Sequence, residues 1–142
     1  PGGWPSDSKK NAFTGEGLTT DERWAQQRIK QLLQLRKTHP LQFEGSLKHY
    51  APTDGVYTFF REPISTPEGK KNSKVNAPTP NETRGDKIMV ILNKEPVDIP
   101  LTTYDEMLSS HKTLTRVSDG KSYKTTDTIS LPAMSATVYI AH

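Results

Sequence analysis

Hydrophobic positions change period twice along the chain. Up to residue 18 they follow no period, because Gly2, Gly3, Gly15 and Gly17, with Pro1 and Pro5, interrupt the backbone too often for a helix or strand. Trp4 and Phe13 stand inside this irregular segment. From Thr19 a helical spacing takes over. Ala25, Ile29, Leu32, Leu33 and Arg36 fall on one face, while Thr19-Thr20-Asp21-Glu22 fits a capping box. Arg36, Lys37 and His39 suit a helix end, and Pro40 stops the helix by pushing the residue before it out of the α region. One helix cannot shelter its own apolar stripe, so Ile29, Leu32 and Leu33 must pack on something.

After Pro40 the period becomes two. Residues 47–50 make a short strand candidate, and Asp54-Gly55 within residues 51–55 is a hairpin turn pair. Residues 56–61, Val-Tyr-Thr-Phe-Phe-Arg, are aromatic and β-branched enough for a second strand. Residues 62–85, with Pro63, Pro67, Pro78 and Pro80, read as a long hairpin loop. The continuous apolar run over residues 87–93 predicts a central buried strand, and residues 96–101 an edge strand that tolerates Pro96. Residues 103–108 predict a helical turn pointing Tyr104, Met107 and Leu108 inward. Residues 113–117 and 121–123, around the turn at Ser118-Asp119-Gly120, then residues 128–131 and 134–141, complete the strands; in the last, Ala136, Val138 and Ile140 can share a face. Short strands joined by tight turns predict an antiparallel β-sandwich or barrel, with a domain boundary near Pro40.

Composition narrows the function classes. In 142 residues, 32% hydrophobic, the core has to be modest, built with five Tyr, four Phe and two Trp; the mean hydropathy of −0.73 implies long solvated loops. A net charge of +3 comes from scattered Lys and Arg, and the dense stretch at residues 70–74 lies in a Gly/Pro/Asn-rich segment, so no nucleic-acid partner is expected. The absence of cysteine excludes disulfides, thiolate metal sites and a thiol nucleophile. No apolar run reaches membrane-spanning length, and no membrane partner is expected. The opening Pro1-Gly2-Gly3 has no Met, basic region or apolar stretch, unlike a signal peptide, and suggests a piece of a longer protein.

Catalytic chemistry is hard to place. His39, His49, His111 and His142 show no i,i+3 or i,i+4 pairing and read as surface or cap histidines, so no metal and no cofactor are expected. Gly15-Glu16-Gly17 lacks the further glycine and preceding strand of a phosphate loop. Among the carboxylates, Asp21 and Glu22 belong to the helix start, Asp54 and Asp119 to turns, and Asp98 to a polar strand position. None has apolar flanks that would suit acid catalysis, and no catalytic residue is assigned.

Two stretches at the start, Pro1-Gly2-Gly3-Trp4-Pro5-Ser6-Asp7 and Asn11-Ala12-Phe13-Thr14-Gly15, resemble a loop of the neopullulanase and cyclomaltodextrinase-like branch of glycoside hydrolase family 13, the α-amylase superfamily. In that branch a DFPGGWxGD…NAFTG-type segment follows the eighth barrel strand; here Ser6 stands where glycine is usual. Leu35-Arg36-Lys37-Thr38-His39-Pro40 is similar to the end of the last barrel helix. Gly45-Ser46-Leu47-Lys48-His49-Tyr50, Gly55-Val56-Tyr57-Thr58-Phe59-Phe60-Arg61, Val90-Ile91-Leu92-Asn93 and Leu131-Pro132-Ala133-Met134-Ser135-Ala136 resemble the C-terminal domain. Residues 62–85 are longer than the family's hairpin there.

The resemblance implies a mainly β chain. Its antiparallel β-sandwich is of the α-amylase C-terminal domain type, preceded by an irregular loop and one amphipathic helix from the end of a (β/α)8 barrel. Residues 1–40 would be the last barrel loop and helix, and residues 41–142 the sandwich. The parent reaction would be retaining hydrolysis of α-glucosidic bonds by two carboxylates, none of whose motifs occurs here, so the fragment should be inactive. Trp4 and Phe13 could border the substrate cleft and stack on glucose, or could pack beneath the loop. The implied partners are an α-glucan (starch, maltodextrin or cyclodextrin), met through the parent enzyme, and the missing barrel domain, with self-association through the helix face if that domain is absent. A periplasmic or secreted parent is expected, the cytoplasm being the alternative. Two rival readings stay open: a free-standing carbohydrate-binding sandwich and a structural sandwich with an unrelated arm. The first needs an exposed aromatic row, for which Tyr50, Tyr57 and Phe59 are candidates, though their alternation suits a core equally well.

Overall fold

The computed structural model describes residues 10–64 and 83–142. Two compact units divide the chain, one ending at Gln34 and one running from Leu35 to His142.

In the first unit a short loop leads into helix α1 (Thr20–Thr38), which continues into the second. The capping box forms as the sequence requires. Thr19 N–H donates to Glu22 Oε2 (2.8 Å) and Glu22 N–H to Thr19 Oγ1 (3.2 Å), so two of the helix's orphan donors find acceptors. Lys10 Nζ adds a 2.6 Å contact to Glu22 Oε1. That contact, with the Thr19 amide, holds the Glu22 carboxyl down at about 2. The apolar stripe expected to be buried is exposed: Ile29 by 60%, Leu32 by 44% and Leu33 by 63%, with Trp24 at 64%.

Pro40 does more than end α1. It opens a second short helix, α2 (Pro40–Phe43), since a proline is tolerated in a first turn, where its missing N–H would have no partner. Leu35, His39, Leu41 and Gln42 are all buried in the second unit.

Among the described residues eight strands follow: β1 (Ser46–His49), β2 (Val56–Glu62), β3 (Lys87–Asn93), β4 (Val97–Pro100), β5 (Thr113–Arg116), β6 (Ser122–Lys124), β7 (Thr128–Leu131) and β8 (Ser135–Ala141). A 3-10 turn (Leu101–Tyr104) and helix α3 (Asp105–Leu108) join β4 to β5. The larger sheet has the order β1-β2-β3-β8-β5-β6 and is antiparallel throughout; β4 and β7 form a second, two-stranded sheet. The expected central strand is β3, which lies between β2 and β8. Asp54 and Gly55, with φ of 51° and 75°, make the β1–β2 turn, a conformation glycine reaches without penalty. The β2–β3 hairpin is present, but most of its expected loop, 65–82, including the basic stretch at 70–74, lies outside the described residues.

The core fills the space between the two sheets. Phe60, Met89, Ile91, Leu114 and Tyr139 project from the larger sheet toward Ile99, Ile129 and Leu131 of the smaller, and Leu101, Tyr104, Met107 and Leu108 close the side. Inside it the Thr58 and Tyr104 hydroxyls bond to one another at 2.7 Å, so neither buried oxygen is left without a partner.

Strand parity decides what faces out. Thr58 and Phe60 point into the core, so Tyr57 and Phe59 lie on the opposite face of the larger sheet. In β8 Thr137, Tyr139 and Ala141 are the buried set, and Ala136, Val138 and Ile140 share the outer face.

Candidate functional site

The expected sugar contacts were Trp4 and Phe13. Trp4 lies outside the described residues. Phe13 sits at the tip of a turn built by Asn11, whose Oδ1 accepts from Phe13 N–H (2.9 Å) and Thr14 N–H (3.2 Å). Gly15 N–H donates to Asn11 O at 2.7 Å and Asn11 N–H to Glu16 O at 2.8 Å, closing the loop. Gln26 Nε2 ties it to α1 through Ala12 O. The turn therefore holds the Phe13 ring wholly in solvent, at 102% exposure. It has an aromatic face to offer.

Several of the described carboxylates have structural partners, and the burial of one of them was missed in the sequence. Asp98 Oδ1 accepts from Ser130 Oγ. Asp119 is held by Arg116 Nη2 (2.5 Å), which keeps its carboxyl well below the usual range and raises the guanidinium. Asp86, by contrast, is buried at 4% exposure. His39 Nε2 donates to its Oδ2 and His142 Nδ1 to its Oδ1, each at 3.2 Å. Gln42 Nε2 donates to the Asp86 backbone carbonyl at 2.8 Å.

His39 and His111 are thus buried, not the surface histidines expected; His111 Nε2 contacts Gly85 O at 3.0 Å. The signal available was slight: Asp86 abuts the apolar run of β3, and His39 precedes a proline. Among the described residues no three His, Asp or Glu groups are disposed to hold a metal ion. A buried carboxylate with both oxygens on imidazoles clasps the chain: it joins the end of α1, the start of β3 and residue 142.

The other feature with chemistry is the outer face of the larger sheet. His49, Tyr57 and Phe59 lie together there on β1 and β2. The His49 and Tyr57 rings meet edge-on with centroids 6.0 Å apart, and Tyr57 and Phe59 stand 5.8 Å apart at 39°. His49 is exposed and both other rings partly so. Beside Tyr57 an open groove is lined by Pro52, Gly55, Leu92, Lys94 and Met134. Tyr50, the third aromatic candidate, instead packs toward the core against Phe60 and Tyr104.

Residues 82–139 match the family model described as the cyclo-malto-dextrinase C-terminal domain. Solved structures share the chain's fold. The crystal structure of AmyP in complex with maltose aligns with a TM-score of 0.59 and 16% identity over 89% of this chain and 22% of that one. A variant of AmyP in complex with maltotriose gives 0.57 and 17% over 87% and 22%. A pullulanase from Anoxybacillus sp. LM18-11 complexed with maltotetraose gives 0.50 and 18% over 83% and 16%. The chain therefore spans about a fifth of the length of the first structures it resembles. The antiparallel sandwich expected from residues 41 onward is present among the described residues, and the stretch 82–139 within it is similar to that family's C-terminal domain.

Proposed function

We propose that this chain is the C-terminal part of an α-glucan-degrading hydrolase of the α-amylase/neopullulanase type and is itself non-catalytic. The match of residues 82–139 to a domain of that enzyme family carries the reading. In the proposal residues 1–40 are the last loop and helix of a (β/α)8 barrel, and residues 41–142 form the sandwich that stabilises the barrel. The stripe of Ile29, Leu32 and Leu33, exposed here, is the face a neighbouring barrel helix would cover.

The carboxylate geometry supports the absence of catalysis by the fragment. Retaining hydrolysis needs two carboxylates facing one glycosidic bond. Asp86, Asp98 and Asp119 are each engaged by His, Ser or Arg side chains, and Glu22 is consumed by the helix cap. Trp4 and Phe13, on the loop that would lie at the barrel's catalytic face, could then contact sugar in the assembled enzyme. A starch substrate places the parent in the periplasm or outside the cell; a maltodextrin or cyclodextrin suits the cytoplasm equally.

The test is reducing-end release from starch, pullulan and cyclodextrin by the purified chain. No release above background is expected. Turnover by pure protein would contradict the assignment of every carboxylate above.

A further inference from the structure

We propose that Asp54 is a site of spontaneous covalent modification, in which the Gly55 amide nitrogen attacks the Asp54 side chain and converts an aspartyl to an isoaspartyl linkage, and that the fold protects Asp119 from the same reaction. The proposal does not depend on the glucan reading above.

Asp-Gly occurs twice in the chain, at Asp54-Gly55 and at Asp119-Gly120. A glycine in the second place leaves its nitrogen unshielded by a side chain. The reaction needs no reagent besides water. The Gly55 nitrogen bonds to Asp54 Cγ, while the amide proton and the hydroxyl of the protonated carboxyl leave as water and a succinimide ring closes. Water then reopens the ring. Addition at Cγ breaks the new C–N bond and restores aspartate. Addition at the Asp54 main-chain carbonyl breaks its bond to the Gly55 nitrogen, which takes up the proton, and the chain now runs through Cγ. One water is lost and one regained, with no oxidation or reduction.

The two turns differ at each group the reaction uses. At Asp119, Arg116 Nε donates to Oδ1 at 2.9 Å and Nη2 to Oδ2 at 2.5 Å, and Lys121 N–H donates to Oδ1 at 3.1 Å. This charge-assisted fork fixes Cγ and holds the carboxyl well below its usual range, in the ionised form that has no hydroxyl to expel. The nucleophile is occupied as well, since Gly120 N–H donates to Arg116 O at 2.8 Å. At Asp54, among the described residues, the carboxyl has no hydrogen-bond or ion-pair partner and Gly55 N–H has no acceptor. Both residues are exposed, so water reaches the reacting atoms. The bonds of this turn flank the pair: Thr53 N–H to Val56 O (3.1 Å), Val56 N–H to Thr53 O (2.9 Å) and Lys94 N–H to Gly55 O (3.0 Å). Turning Cγ onto the Gly55 nitrogen is a local opening against backbone bonds, with no side-chain contact of Asp54 to break. The product adds a methylene to the main chain between the two bonds that close the turn, and so lengthens the connection from β1, at the edge of the larger sheet, to β2.

The experiment ages the full chain in heavy-oxygen water at physiological pH and temperature, then transfers it to ordinary water and digests it with trypsin. Cleavage after Lys48, Arg61, Arg116 and Lys121 puts the two Asp-Gly pairs in separate peptides, 49–61 and 117–121. Mass spectrometry reads the heavy oxygen that each ring opening installs, and electron-transfer fragmentation separates isoaspartyl from aspartyl. In the native chain peptide 49–61 should gain label and isoaspartate severalfold faster than peptide 117–121. In urea the two rates should converge, because the fold alone separates them. Arg116→Ala should speed conversion at Asp119 severalfold and leave Asp54 unchanged; if that variant does not fold, the native and urea rates of the unmodified chain decide. No conversion at Asp54, equal or faster conversion at Asp119 in the native chain, a difference that persists in urea, or a folded Arg116→Ala variant with Asp119 still inert would each overturn the proposal.

Discussion

Asp86 is the side chain on which the β-unit most depends outside its apolar core. Removing it leaves His39 Nε2 buried without its acceptor and takes the partner from the His142 ring. Asp86→Ala should cost about 2–3 kcal/mol, in the range for leaving a buried hydrogen-bonding group without its partner, read as a lower urea midpoint at unchanged m-value. A second prediction concerns the hydroxyl pair in the core. Tyr104→Phe strands Thr58 Oγ1 in an apolar interior and should cost about 1–2 kcal/mol, whereas the double variant with Thr58→Val should recover much of that loss, because no unpaired oxygen remains. A cycle showing simple additivity would mean that the bond contributes nothing. At this scale the sequence was least informative. Nothing in the spacing of His39, Asp86 and His142 announces their meeting, because 47 and 56 residues separate the aspartate from its two partners.

Elements were more legible, because each is set by local chemistry. The Thr19–Glu22 box started α1 where its residues allow, and Asp54-Gly55 made its turn. Thr19→Ala should destabilise the helix start by about 1 kcal/mol, measured as lost helicity by circular dichroism. The cap is also acid-sensitive. Glu22 is lowered in the folded chain from 4.5 to about 2 by Lys10 and the Thr19 amide. A depressed carboxyl stabilises above its unfolded value, so this contribution is complete above about pH 4.5 and fades as pH falls toward 2. Helicity of the wild type should drop over that window, and Glu22→Gln should flatten the drop; an identical titration in both would refute the cap's role. What sequence period could not give was the inward face. Tyr57 and Phe59 alternate with Thr58 and Phe60, and both sets are apolar enough for a core. Only the position of the second sheet, a long-range outcome, chose Phe60. Pro40 likewise could stop one helix or start another, and here it begins α2.

At the scale of the molecule the fold class was readable from strand spacing and turn chemistry, and the likeness to glycoside hydrolase family 13 came chiefly from the loop motifs at residues 1–15, with generic sandwich motifs beside them, of which residues 131–136 fall inside the match over residues 82–139. The candidate site was not readable in the same way. Substrate contact by Trp4 and Phe13 was inferred from likeness alone, and the outward rings of β2 were visible only as an ambiguous alternation. The exposed stripe on α1 has a consequence for behaviour in solution. Apolar side chains at Ile29, Leu32 and Leu33, open to water by 44–63%, should drive the isolated chain to associate as its concentration rises. Light scattering across a concentration series should show growing mass, and Leu33→Glu should suppress it. A strict monomer throughout would argue that the stripe needs no neighbour.

This polypeptide is proposed to be the tail of a glucan-cleaving barrel. Reading the coding sequence directly upstream of Pro1 tests it most directly. The expected result is an open frame encoding a (β/α)8 barrel whose strands end in an Asp, Glu and Asp catalytic set. A frame that encodes an unrelated domain there, or that starts at the first proline, would contradict it.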